Sequence, residues 1–110
     1  MSLERVLKAL MNLGLSQKEA EVYVYLATKG PQKAANIAET LKLTRPQLQS
    51  ILKNLQNKKI VKATFEYSAQ FSALPFETAL DLLTETKRKE TRHIEENKQE
   101  ILSHWRSISN

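Results

Sequence analysis

The apolar residues of this chain change their period at residue 59, and that change constrains the fold more than any other feature. Up to Lys58 they recur every three or four positions, as on helices with one buried face. From Ile60 to Leu74 they fall in short β-branched and aromatic runs, as in strands. After Pro75 the helical spacing returns and persists to the end of the chain.

The helices can be placed from their ends. Leu3, Val6, Leu7, Leu10 and Met11 predict a first helix that stops near Gly14, and glycine suits the left-handed position past a helix end. Ser16 and Glu19 form a capping-box pattern for a second helix. The serine oxygen and the glutamate each satisfy a backbone N–H that the first turn leaves unpaired. Ala20, Val22, Tyr23, Val24, Leu26 and Ala27 make this helix apolar around much of its circumference, which places it centrally in the core. Lys29-Gly30-Pro31 ends it. A short third helix is expected over roughly Gln32 to Leu41, with Ala34, Ile37, Ala38 and Leu41 turned inward.

Three residues, Lys42-Leu43-Thr44, then join it to a fourth helix from about Arg45 to Lys58. Leu48, Ile51, Leu52 and Leu55 form its apolar stripe. Thr44 can cap it, and Pro46 falls in the first turn, where a missing N–H costs nothing. The runs Ile60–Phe65 and Gln70–Leu74 predict a two-stranded hairpin. The expected fold class is therefore mainly α with a small β-hairpin, a winged helix-turn-helix with a long C-terminal dimerisation helix. Residues 1–75 would form the winged unit and 76–110 the dimerisation helix.

Charge is concentrated where that fold would use it. Residues 40–65 hold Lys42, Arg45, Lys53, Lys58, Lys59 and Lys62 and no acid, while the remaining 84 residues carry 11 basic and 12 acidic side chains. A local positive field of this kind suits a polyanion. On a helical wheel the stripe of the fourth helix faces one way. Pro46, Ser50, Lys53, Asn54 and Asn57 face the other, with Gln47 and Gln49 on the flanks and Arg45 at the start. Gln and Asn can donate and accept together at an adenine edge, and Arg can fork onto guanine or a phosphate. The candidates for contact with double-stranded DNA are Lys33, Thr44, Arg45, Gln47, Gln49, Ser50, Lys53, Asn54, Lys58, Lys59 and Lys62. The lysines suit phosphate, which positions a protein without reading sequence.

The long last helix carries a degraded heptad seam. Leu80, Ile94, Ile101 and Ile108 share one position, interrupted by Lys87. Leu83 begins the companion position, and Trp105 lies beside His104, its last member. A solvated helix this long is marginal alone, so Leu80, Leu83, Ile94, Ile101, Trp105 and Ile108 are expected to pair in a homodimer. Dimerisation would set two reader helices about one DNA turn apart.

Other chemistries find little purchase. The chain has no cysteine, two glycines and one aspartate, Asp81. This removes thiolate metal sites and glycine-rich phosphate loops. His93 and His104 are eleven residues apart, about three turns, too far to share a metal. Glu95 and Glu96 are adjacent and point apart on a helix, so they are no acid–base pair. No enzyme, cofactor or metal is expected. The long apolar run of a membrane span is also missing, which with the absence of cysteine suggests a cytoplasmic protein. A second reading remains open at this stage: a winged helix used as a protein-interaction module of the transcription machinery, with little DNA affinity of its own.

The stretch "LGLSQKEAEVYVYLATKGPQKAANIAETLKLTRPQLQSILKNLQNKKIVKA", with "FSALPFETALDLL" after it, resembles the N-terminal winged-helix domain of TrmB-type transcriptional regulators, found mostly in archaea. MarR-type regulators share the general shape. The resemblance runs from Leu13 to Leu83 and implies a DNA-binding regulator. It has departures. Lys33 stands where a Ser or Thr cap is usual, and Lys59 where the family has glycine. The wing reads "FEYSAQ", with Glu66 in place of the usual glycine and cations, so the fourth helix is expected to supply most of the affinity. The family's large sugar-sensing domain has no counterpart here, so no small-molecule effector is carried over.

Overall fold

The computed structural model describes residues 2–65 and 68–110. Two helices, α1 (Leu3–Asn12) and α2 (Gln17–Lys29), are followed by a short strand β1 (Gln32–Lys33). Then come α3 (Ala34–Leu41), α4 (Arg45–Asn57), β2 (Val61–Ala63), β3 (Gln70–Ala73), α5 (Phe76–Glu96) and α6 (Lys98–Ser109). The strands form an antiparallel sheet in the order β1-β3-β2. A helix-turn-helix pair, α3 and α4, followed by a hairpin on an antiparallel sheet is a winged helix-turn-helix.

Three boundaries differ from those the periodicity predicts. The third helix starts at Ala34, because Gln32 and Lys33 pair with Phe71 and Gln70 and turn the expected hairpin into three strands. The last helix is divided at Asn97. Its side-chain Nδ2 donates to the His93 carbonyl at 2.8 Å, and its backbone turns to ψ 11°. An asparagine amide that competes for the carbonyl four residues back is a common cause of such a break. Thirdly, Leu83 is not free to face a partner: it is 3% exposed and belongs, with Ala79, to the core of this chain. The core therefore extends past residue 75 into the first turns of α5. Glu66 and Tyr67, expected at the wing tip, lie outside the described residues.

α2 is the centre of the core, as its all-round apolarity predicts. Ala20, Val22, Tyr23 and Leu26 meet Leu10 of α1, Ile37 of α3, Leu48, Leu52 and Leu55 of α4, and Ile60 and Val61 at the start of β2. Burial of each large side chain contributes about 1.5–3 kcal/mol. Tyr23 adds a directional tie, since its buried phenol donates to the Leu74 carbonyl at 2.6 Å and fixes α2 to the strand leading into α5. Tyr23→Phe should therefore cost about 1–2 kcal/mol in urea unfolding near neutral pH. Burial also pushes the phenol up from its usual value of 10.0. The unfolded chain then loses this proton first, so the contribution is full below that value and is lost as pH rises through the raised one. The phenylalanine variant should lack this alkaline loss of stability.

Candidate nucleic-acid interface

The reader helix α4 begins with a complete capping box. Thr44 Oγ1 accepts from the Gln47 N–H at 3.2 Å, and Gln47 Oε1 accepts from the Thr44 N–H at 2.9 Å. Both residues thus define where the helix starts, and Gln47 is held at its own N-terminus. No acid sits in the first turn, while Arg45 does. The positive end of the helix dipole is left uncompensated and is reinforced by a cation, which favours an anion outside.

Both ends of the turn-and-reader unit are closed by left-handed lysines. Lys42 has φ 55° and Lys59 has φ 65°. After each, the next N–H reaches back to close the preceding helix: Leu43 to the Ala38 carbonyl at 2.9 Å, Ile60 to the Leu55 carbonyl at 3.2 Å. These are Schellman closures, in which glycine usually holds the left-handed site. Lysine there costs about 1 kcal/mol relative to glycine.

The four apolar residues of α4 are all buried. At about 100° per residue, the direction opposite them belongs to Pro46, Ser50, Lys53 and Asn57, all exposed. On one flank, Arg45, Gln49 and Gln56 line a cleft of about 400 Å³ with Ala34, Ala35, Ala38 and Phe71. This joins the reader helix to α3 and the sheet. Gln56 escapes the wheel reading because it lies close to the apolar stripe; its neighbours in the cleft are what bring it to the surface. On the other flank Asn54 turns towards α2, with its Nδ2 2.9 Å from Glu19 Oε2.

The remaining cations divide into two groups. Lys33 pairs with Gln70 and Lys62 with Ser72, and successive residues of a strand alternate faces. The two lysines therefore share the sheet face opposite the core-packed Phe71. Lys58 and Lys59 instead line a cleft of about 450 Å³ with Leu82, Glu85 and Glu90 of α5. Both therefore lie beside α5, away from the exposed side of α4 that carries Lys53. Lys42, exposed in the turn between α3 and α4, is the cation the sequence reading left out of its site.

A more apolar cleft of about 680 Å³ lies away from this surface, between α1, α2 and the β3–α5 junction, lined by Leu3, Val6, Tyr23, Ala27, Leu74 and Phe76. On α5 and α6, Ile94 (60% exposed), Ile101 (51%), Trp105 (60%) and Ile108 (77%) are large apolar side chains turned to solvent, while Leu80 is half-buried. Among the described residues no three acidic or histidine side chains come together as a metal site, and no helix is long and apolar enough to cross a membrane.

Comparison with known proteins agrees with this geometry. A family model described as the sugar-specific transcriptional regulator TrmB matches residues 10–77. No curated protein matches the sequence significantly. Among solved structures, the archaeal chromatin protein TrmBL2 superposes with a TM-score of 0.77 at 18% identity, over 97% of this chain and 42% of that one. The chain thus spans less than half of TrmBL2. A possible transcriptional regulator from Methanosarcina mazei Go1 gives 0.66 at 15% identity, over 91% and 88% of the two chains. MepR of S. aureus, in its complex with DNA, gives 0.57 at 16%, over 93% and 87%. At these identities the likeness shows the winged-helix fold.

Proposed function

Because the chain belongs to the TrmB family of transcriptional regulators, we propose that it is a homodimeric, sequence-specific regulator that binds double-stranded DNA through the outward face of α4. The observation that carries this reading is the division of that helix. All its apolar side chains are buried, and its exposed side has polar and cationic groups with no acid. Such a face matches the major groove, which admits one helix and offers donor and acceptor edges.

The roles follow from position. Arg45, Gln49, Ser50 and Lys53 meet the duplex, with Arg45 and Gln49 suited to base edges and Lys53 to phosphate. Lys33, Lys42 and Lys62 add phosphate contacts at the turn and on the sheet. Thr44 and Gln47 hold the helix start, and Lys58 and Lys59 contribute at longer range. MepR, similar in fold, has been solved with DNA, which supports the same use here.

Selection of bound sequences from a random duplex pool, followed by footprinting, tests the proposal. Two symmetric half-sites about 10–10.5 base pairs apart, or a multiple of that, are expected. Salt-sensitive binding with no enriched sequence would contradict sequence specificity and favour a chromatin role like that of TrmBL2.

A further inference from the structure

Glu19 is a buried charged residue, 7% exposed. A buried carboxylate needs its lone pairs matched. Its Oε1 accepts the Ser16 N–H at 2.9 Å, which completes the capping box of α2. The box uses only that oxygen. The other, Oε2, accepts from Asn54 Nδ2 at 2.9 Å, across 35 residues of sequence, in the second half of the reader helix.

We infer that Glu19 and Asn54 form a strut that sets the rotation of α4 against α2, and so the register in which the reader face meets a duplex. The inference rests on the DNA reading proposed above. Apolar packing between the two helices is strong but non-directional. A hydrogen bond is directional, with a working range of about 2.7–3.2 Å. Turning α4 by about 20° would move side-chain atoms roughly 5 Å from its axis by about 2 Å, enough to break every base contact. A carboxylate can only accept, so Asn54 must offer it the NH2 group and is thereby fixed in orientation. Asn54 is a positioning residue, and Glu19 is its anchor.

The test compares affinity for a selected duplex with affinity for a random duplex, at one salt concentration, for wild type, E19A, N54A and the double variant. Each single change should lower that ratio about tenfold. The double should lose no more than either single, because both break one contact. N54D sets two carboxylates together and should lose more. E19Q/N54D exchanges donor and acceptor and should recover most of the ratio. If E19A fails to fold, N54A and the exchange still carry the test, since a glutamine keeps the capping box. Additive losses would overturn the strut. So would relaxed preference at one base pair in N54A with none in E19A, which is the mark of a direct base contact. A wild-type preference that no variant changes sinks the strut alone. A wild type with no preference sinks the sequence-specific reading, and the strut with it.

Discussion

Ile101→Asp combined with Trp105→Asp is expected to turn a dimer into a monomer and to cut affinity for a two-half-site duplex by about 10²–10⁴-fold. Ile94, Ile101 and Ile108 recur every seven residues, and Trp105 lies one turn from both Ile101 and Ile108. All four stand more than half exposed, so among the described residues nothing buries them. Ile94 lies near the end of α5 and the other three on α6, and a second copy would stabilise these solvated apolar side chains. Once two reader units are joined, binding of the second half-site becomes intramolecular, and its effective concentration supplies the gain. The acidic pair should remove that gain and nothing else. Both positions are far from the core, so the monomer should stay folded, and affinity for a single half-site should hold. Sedimentation and fluorescence anisotropy on the two duplexes check this. A wild-type chain that is monomeric at micromolar concentration would contradict it, as would a variant that still binds the full site tightly.

The second large effect is expected at the reader face. Arg45→Ala should cost about 1–3 kcal/mol per half-site if its guanidinium forks onto a base, and should relax preference there. Lys53→Ala should instead weaken all duplexes alike. In a dimer it removes two phosphate contacts, so the slope of log affinity against log salt should become shallower by about 1.8. Both side chains are exposed, so neither change should alter thermal unfolding by more than about 0.5 kcal/mol. The pair thus separates reading from positioning. A uniform loss for R45A, or a sequence-dependent one for K53A, would reverse the roles assigned here.

Much of this architecture was legible because it rests on local rules. Ser16 with Glu19 and Thr44 with Pro46 mark helix starts, and each start lies where those residues place it. The four-residue apolar stripe of α4 is buried in full. What the sequence concealed is non-local or small. β1 has two residues, too few to show a period, and it exists only because residues 70 and 71 come alongside. Asn54 looks like a free reader on a helical wheel, and nothing near it in sequence tells that Glu19 claims it. Gln47 carries two patterns at once: Thr44-x-x-Gln47 is a capping box, and the same amide suits an adenine edge. The break at Asn97 was masked for a similar reason, since the seven-residue spacing of Ile94, Ile101 and Ile108 runs on across it. Leu83 fits the seam by number but is drawn into the core, because α5 starts by packing on the winged unit before it leaves it.

The acid-free side of α4 is expected to face a nucleic-acid duplex. Anisotropy titrations of a labelled duplex from about 50 to 300 mM salt test it most directly. The expected result is a straight line of log affinity against log salt with a negative slope of several units, set by about 0.9 per phosphate neutralised. Binding that is undetectable at the lowest salt, or detectable but indifferent to salt, would contradict it and return the exposed face of α4 to a protein partner.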